Sequence, residues 1–405
     1  MKSNYKKLGP YIRQVDNRNA DATLGEDNLY GISVTKDFII SHANLVGVTF
    51  ESYKVVAPRQ FAYIPDTSRR GDKIAISLNR FDTEIIVSSI CSTFEIINEN
   101  ELLPEYLMLW FMRPEFDRYA RFMSNGSARE VFDWNCMCNV ELPIPSIEKQ
   151  RKVVHDYQII TDRIELLQRL NDKLRELIST EFNNKIRCVN NSDEELISSE
   201  LGTYPASWEV KPLGSVLSTI IDHRGITPSK LGGEWSREGV IALSARSVKN
   251  HELINLDIAN RVDWNLYNRW MPEKLRPHDI LMTSEAPLGE FYYVADYAEY
   301  CLSQRLFALR ANDAIIAPTV LYCQLTDQVG LHQIDIRKTG TTVTGIRQSE
   351  LVKIPIVLPK LSVQESFARF CEPVMLKIEH NARECRLLQK IQSLLLYKGA
   401  GNVFI

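Results

Sequence analysis

The residues best suited to chemistry in this chain are cations and hydroxyls grouped around predicted turns. Residues 68–73 place three cations beside one turn, and these are Arg69, Arg70 and Lys73. The planar fork of arginine grips a phosphate, or the edge of a guanine, with two parallel hydrogen bonds. The chemistry that this string predicts is therefore binding of nucleic acid, and an ordinary solvated turn is the alternative.

Two glycine-containing loops rich in hydroxyl residues, 124–129 and 338–347, each end near an arginine. Loops of this kind present backbone N–H groups, hydroxyls and a cation to a phosphate backbone. Tight-turn chemistry alone is the alternative. The candidate contacts in the two loops are Ser124, Ser127, Arg129, Thr341, Thr342 and Arg347.

Similar material recurs at residues 224–230, 244–249 and 303–305, and the N-terminal segment 1–20 carries several cations against one acidic side chain. The candidate contacts taken from these strings are Arg18, Arg224, Thr227, Arg246, Lys249 and Arg305. All are interpreted as groups that could contact DNA.

Motifs that would mark an active site are absent from the sequence. It has no GxxxxGK[ST] phosphate loop, no GxGxxG, no HExxH and no GxSxG. No two of the seven histidines lie within four residues of each other, and the eight cysteines form no CxxC pair. We therefore expect neither a metal site nor a catalytic site in this chain, and we expect reduced cysteines.

Length and composition indicate more than one domain. A chain of 405 residues exceeds the roughly 250–300 residues at which one hydrophobic core stops growing. A formal net charge of −3 is unusual for a free-standing DNA-binding protein, so a partner is expected to supply part of the positive field. Without a long apolar run or a signal peptide, the expected location is cytoplasmic, away from membranes.

The two halves of the chain match each other under one constant shift, which we call the repeat alignment. The aligned pairs include Pro104 with Pro318, Gly126 with Gly340, Pro145 with Pro359, and Gln150 with Gln364. The front parts of the halves match only with drifting offsets, which is typical of diverged loops. The pattern predicts a head-to-tail internal repeat.

Each half ends in a predicted long helix with one apolar seam at heptad spacing. The seam residues are Tyr157, Ile160, Ile164, Leu167, Asn171 and Leu174, and in the second half Cys371, Val374, Ile378, Asn381, Cys385 and Leu388. Two matching seams most simply bury each other, and a closed repeat favours an antiparallel coiled coil. Asn171 and Asn381 either fix the register from inside the seam or reach solvent at its edge.

The predicted fold class is α+β, with two tandem mixed, β-rich domains joined by the two helices in a pseudo-two-fold repeat. The predicted boundaries are 1–145 for the first domain and 146–189 for the central helix. The second domain covers 190–360, including a linker at 190–205, and the final helix covers 361–398. Residues 103–120 and 318–329 are each predicted as one helix.

Particular strings resemble those of the specificity subunits of type I restriction-modification enzymes. They are residues 142–150 (LPIPSIEKQ), residues 339–346 (TGTTVTGI) followed by 354–359 (IPIVLP), and residues 224–228 (RGITP), which resemble the family's Gly-x-Thr-Pro. With the tandem domain–helix plan, the resemblance covers essentially the whole chain.

The resemblance implies that each domain is a target-recognition domain for one half of a split site in double-stranded DNA, and that the helices are a spacer. It implies a non-catalytic subunit that binds no cofactor. It would recruit two modification subunits, which use S-adenosylmethionine to methylate adenine, and two restriction subunits, which use ATP and Mg. A methylation-only system is the alternative, and a coiled-coil scaffold without a DNA role is a more distant one.

Overall fold

The computed structural model describes residues 5–41, 47–67, 71, 73–124, 130–187, 194–340 and 343–398. The chain divides into two compact units. Unit 1 comprises Met1–Glu165 with Leu387–Ile405, and unit 2 comprises Leu166–Arg386. The division passes through both long helices, whereas the domain boundaries predicted from sequence lie at the helix ends.

Unit 1 is a mixed domain around a four-stranded antiparallel sheet in the order β2-β9-β6-β7. Its strands are β1 (Tyr5–Lys7), β2 (Ile12–Val15), β3 (Tyr30–Ile32), β4 (Phe38–Ile40), β5 (Lys54–Val56), β6 (Phe61–Tyr63), β7 (Ile76–Leu78), β8 (Ile85–Val87), β9 (Ser92–Ile96) and β10 (Glu141–Pro143). Its helices are α1 (Pro104–Phe111), α2 (Pro114–Met123), α3 (Trp134–Cys138) and the first part of α4 (Ile147–Phe182).

Unit 2 contains a four-stranded antiparallel sheet in the order β14-β22-β19-β20. Its strands are β11 (Leu196–Ser199), β12 (Gly202–Pro205), β13 (Glu209–Pro212), β14 (Leu217–Asp222), β15 (Val240–Leu243), β16 (Val248–Lys249), β17 (Glu252–Leu253), β18 (Arg261–Val262), β19 (Ile280–Ser284), β20 (Leu288–Tyr293), β21 (Tyr300–Leu302), β22 (Leu306–Ala311) and β23 (Pro355–Leu358). Its helices are α5 (Leu213–Val216), α6 (Trp264–Trp270), α7 (Pro318–Thr326), α8 (Gln328–Asp335), α9 (Gln348–Leu351) and most of α10 (Leu361–Lys398).

Three predictions of local structure are corrected. The predicted helix at 103–120 is two helices, because Pro114 begins α2 after an extended Arg113. The predicted helix at 318–329 also breaks, because extended Asp327 caps α8 through its side chain. The predicted linker contains the hairpin β11–β12, and its Tyr204 is buried in the core of unit 2.

Both units have the same internal sheet order, since in each case the first strand pairs with the fourth, and the second lies between the fourth and the third. The two units also share an equivalent pair of hydrogen bonds made by one glutamine side chain. Gln150 accepts a hydrogen bond from the Leu103 N–H and donates to the Pro145 carbonyl. Gln364, its counterpart in the repeat alignment, makes the same two bonds with the N–H of Ala317 and the carbonyl of Pro359.

Inside unit 2 the segments of α4 and α10 run antiparallel. The rings of Phe182 and Phe367 lie 5.8 Å apart, and Asn171 is paired with Asn381, which lies further along α10. The predicted seam residues of both helices are all buried or half-buried. At its end, α4 passes into a π-helical turn at Asn183–Arg187, where buried Arg187 pairs with Asp327.

The two seam asparagines are both 1% exposed and hydrogen-bond to each other. Asn381 donates from Nδ2 to Oδ1 of Asn171 at 2.8 Å, and Asn171 donates to the carbonyl of Ile378 at 3.1 Å. A buried amide without its partner costs more than an apolar group in the same place. The pair therefore favours the register in which both amides meet.

Asn171→Leu should lower the free energy of unfolding by about 1–3 kcal/mol, because it leaves the buried Asn381 amide unbonded. The double variant Asn171→Leu/Asn381→Leu should recover most of that loss, since an apolar pair replaces a polar one. Urea denaturation of the three proteins measures both effects. A double variant less stable than the single one would contradict this account of the pair.

Among the described residues no helix combines the length and apolarity needed to cross a membrane. In the same ranges no group of three His, Cys, Asp or Glu side chains is arranged to hold a metal ion.

Candidate nucleic-acid interface

The two basic strings of unit 1 meet through the residues that flank them. Thr67 donates from Oγ1 to Ser124 Oγ at 2.9 Å, and the Thr67 N–H donates to the Glu130 carbonyl at 3.1 Å. The predicted contacts Arg69, Arg70, Ser127 and Arg129 lie outside the described residues. The segments that flank their loops are held side by side, a pairing between distant parts of the chain that no sequence pattern reveals.

The hydroxyl of Ser124 is already used within unit 1. It donates its hydrogen to the Ala120 carbonyl at 2.7 Å and accepts from Thr67. A serine hydroxyl has one hydrogen to donate. In this arrangement Ser124 therefore anchors the loop and can only accept a hydrogen bond from a ligand.

Lys73 is exposed next to a buried ion pair. The Ile74 N–H donates to Asp117 at 3.3 Å, and Asp117 lies 2.9 Å from the ammonium of Lys36, whose side chain is 5% exposed. Burial lowers the pKa of Lys36, Asp117 opposes that shift, and the charge of Lys73 adds to it. The pair fixes the backbone that carries Lys73, and no sequence motif marks it.

Arg18 is partly engaged with its own neighbours. Its guanidinium contacts Asp16 at 3.3 Å and the Ser52 carbonyl at 3.2 Å. Lys54 hydrogen-bonds the same carboxylate, and together with Arg18 it holds the pKa of Asp16 below its usual value. Within the described ranges, these contacts of Arg18 do not involve either of the two loops.

In unit 2, the loop at 338–347 is fixed to the end of β19. The Ile346 N–H donates to the Ser284 carbonyl at 2.9 Å, and Glu285 and Gly345 form a β-bridge. Thr339 and Gly345 exchange two backbone hydrogen bonds of 2.7 and 2.9 Å across the loop. Thr341 and Thr342 lie outside the described residues.

Unit 1 makes the same main-chain connection just past β6. There the Phe132 N–H donates to the Pro65 carbonyl at 2.9 Å, and Asp66 and Val131 form the β-bridge. Phe132 and Ile346 are counterparts under the same shift that pairs Gln150 with Gln364. In each unit, the segment that ends or follows the glycine-containing loop is thus held at the end of the equivalent strand.

Gly340 is required by this geometry. Its φ is +100°, and a Cβ built there would lie 2.3 Å from the Val343 carbonyl oxygen. Gly340→Ala should cost about 1–3 kcal/mol in local strain and speed hydrogen exchange of the Gly345 amide. Gly25→Ala is the control, because its Cβ meets nothing within 4 Å. Unchanged exchange at Gly345 would show that the loop tolerates the substitution.

Arg224 lies against the same loop. Its guanidinium pairs with Asp222 at 2.7 Å and stacks over the Phe307 ring at 4.2 Å from its centroid. One of its amino groups donates to the Ile346 carbonyl at 3.5 Å. These contacts hold the guanidinium in one orientation while about a third of the side chain stays exposed.

Arg246 and Arg305 lie on the rim of one groove of about 460 Å³. Arg305 has a left-handed backbone with φ of 65° and pairs with Glu285 at 3.0 Å. Arg246 is exposed on a 3₁₀ turn that is closed by Ser244 and Ser247 in a capping box. From sequence Ser244 belongs to a candidate binding string, whereas here it holds the turn that presents Arg246.

Thr227 and Lys249 do not line this groove, whereas Arg347 ends the loop at 338–347. Thr227 shares a hydrogen bond of 3.1 Å with Ser229. Lys249 is exposed on β16, and Arg347 is exposed immediately before α9. The convergent set is therefore Arg224, Arg246, Arg305 and the loop at 338–347.

Comparisons with known proteins find similar sequences and a similar fold. Residues 205–389 match the family model described as the type I restriction modification DNA specificity domain. The MjaIX type I restriction enzyme specificity subunit of Methanocaldococcus jannaschii is 22% identical over 311 residues, or 75% of this chain and 69% of that protein. The crystal structure of a type I S subunit from M. genitalium matches with a TM-score of 0.57, covering 98% of this chain and 96% of that one, at 11% identity. At that identity the match shows a shared fold only.

Proposed function

We propose, from the membership of residues 205–389 in the type I specificity-domain family, that this specificity subunit reads a bipartite site in double-stranded DNA. Each unit would read one half. The observation that carries the proposal is the repeated anchoring of a glycine-containing loop, through Phe132 and through Ile346, at the end of the equivalent strand. Two backbones that are this similar but carry different side chains are suited to two half-sites of different sequence.

The reading residues would be those predicted from sequence, with their roles refined by their contacts. Arg246 and Lys73, both exposed and without an ion pair among the described residues, are suited to direct contact with DNA. Arg224, held by Asp222 and Phe307, is suited to a contact of defined geometry. Arginine reads guanine bidentately when it is oriented in this way.

The long helices would be the spacer between the half-sites. Helix α4 has 36 residues, which at about 1.5 Å rise makes about 54 Å. At about 3.4 Å per base pair this is less than two turns of duplex. A gap of several unread base pairs between the half-sites is therefore expected, and an antiparallel coiled coil would set its length.

The same helices would also dock the modification subunits. Leu166, Leu170 and Leu177 of α4 are 52%, 40% and 48% exposed, and their spacing of four and seven residues forms an apolar stripe outside the buried seam. Such a stripe favours partner helices. Two modification subunits would supply S-adenosylmethionine chemistry, and two restriction subunits would supply ATP- and Mg-dependent cleavage.

The proposal is tested by expressing the chain with its candidate methyltransferase in a host without adenine methylation, and by mapping methylated adenines genome-wide. We expect one bipartite motif with a fixed gap, and we expect co-purification of the two proteins. The methyltransferase expressed alone is the control. If no motif is found, or if the motif is continuous, the proposal is contradicted.

A further inference from the structure

The groove that Arg246 and Arg305 line in unit 2 is large enough to take a small molecule. It is lined by the turn at 244–247, the segment at 255–260 and residues 303–305, together with Trp235 and Trp270. Its volume of about 460 Å³ falls within the range of about 300–1,000 Å³ that is typical of small-molecule sites.

An indole N–H without a partner lies in the wall of this groove. Trp270 is 2% exposed, and its Nε1 is buried without a hydrogen-bond partner among the described residues. Buried polar groups in native proteins are nearly always satisfied. In this conformation Nε1 is inaccessible from the groove, so Trp270 contributes its ring to the wall and not a free donor.

Flat apolar surface is exposed beside that ring. Trp235 is 46% exposed and packs on Trp270 with ring centroids 5.9 Å apart, and Ile258 is 82% exposed. Aromatic rings of this kind are the surfaces on which unpaired bases stack. The groove thus offers one exposed stacking face, which the buried ring of Trp270 supports.

The rim carries groups that recognise a base edge and a phosphate. Asn260 and Gln304 are exposed, as is Asn255, which donates from Nδ2 to the Arg246 carbonyl at 3.1 Å. That bond leaves the Oδ1 of Asn255 available as an acceptor. Amide side chains pair with base edges, and the Arg246 guanidinium can grip a base edge or a phosphate with two parallel hydrogen bonds.

We propose that this groove binds a single unstacked nucleobase, either extruded from bound DNA or supplied by a free nucleotide. Bases in a stacked duplex cover each other's faces, so none of them can lie flat on the exposed ring of Trp235. A base that has left the stack can enter the groove and stack against Trp235, with its edge toward the amide side chains of the rim. Binding of a base extruded from DNA rests on the proposed function, whereas binding of a free nucleotide does not.

The duplex arm uses the full chain with its modification partner and duplexes that carry one mismatch at each position of the unit 2 half-site in turn. Mismatches at positions read by base contacts weaken binding. At an extruded position the mismatch removes the cost of unpairing, so binding should tighten at least fivefold. Trp235→Ala should abolish this gain, and Trp264→Ala, another exposed tryptophan of unit 2 that lies outside the groove, should keep it.

The nucleotide arm titrates the four deoxynucleoside monophosphates into the full chain without DNA, by calorimetry. Binding that is lost in Trp235→Ala and kept in Trp264→Ala supports the site with a free nucleotide as a source. The proposal is overturned if no mismatch tightens binding and no mononucleotide binds through Trp235. If no duplex sequence is preferred at all, the proposed function fails. The titration with mononucleotides then decides by itself whether the groove binds a nucleobase.

Discussion

Inserting one heptad into both long helices should lengthen the gap between the two half-sites by about 3 base pairs, because seven residues add about 10.5 Å of helix and each base pair adds about 3.4 Å. The insertions belong after Glu165 and after Arg386, where each helix passes from one unit to the other. The contacts inside each unit then stay intact. Genome-wide mapping of methylated adenines measures the new gap.

Two controls distinguish helices that set the length of the gap from insertions that only disturb the protein. A heptad inserted in only one helix should abolish modification, because the seams no longer match in length. A heptad deletion in both helices should shorten the gap by the same amount. A gap that stays unchanged with both insertions in place would show that the helices do not set it.

Arg246→Ala should weaken binding roughly 5- to 150-fold, which corresponds to the 1–3 kcal/mol of a good base contact, and only through the half-site that unit 2 reads. The measurement compares affinity for the intact site with affinity for sites altered in one half. Changing the contacted base pair in the unit 2 half-site should no longer lower the affinity of the variant. Alteration of the unit 1 half should keep its full effect.

The matched control is Arg269→Ala, an exposed arginine of unit 2 on α6, which should bind DNA as the unsubstituted chain does. The reciprocal variant is Arg69→Ala/Arg70→Ala in unit 1, which should affect only the other half-site. Equal losses on both half-sites would contradict the division of reading between the units. Identical losses for Arg246→Ala and Arg269→Ala would indicate a nonspecific charge effect.

Much of the architecture was readable from sequence, because helix periodicity and backbone conformation are local properties. Every residue that the heptad spacing marked as part of a seam is buried or half-buried, including Cys371 and Ile378. The repeat alignment paired Gln150 with Gln364, and both make the same contacts. Gly340 was found as part of a loop motif, and its positive φ explains why glycine stands there.

Local patterns were misleading where a single residue outweighed them. The apolar runs that predicted one helix each at 103–120 and 318–329 are interrupted at Pro114 and Asp327. The polar segment predicted as a linker forms a hairpin, because Tyr204 finds apolar partners in the core. These partners come from distant parts of the chain.

By itself, the sequence predicted an internal repeat, and it determined which face of each helix is apolar and which residue types can meet a phosphate. Only the tertiary structure decided which of them meet. It joined Thr67 to Ser124, set Arg224 against Ile346, and placed Arg246 and Arg305 on one groove. The reason is that contacts between residues so far apart in the chain depend on how strands pair and loops close, and no local period encodes that pairing.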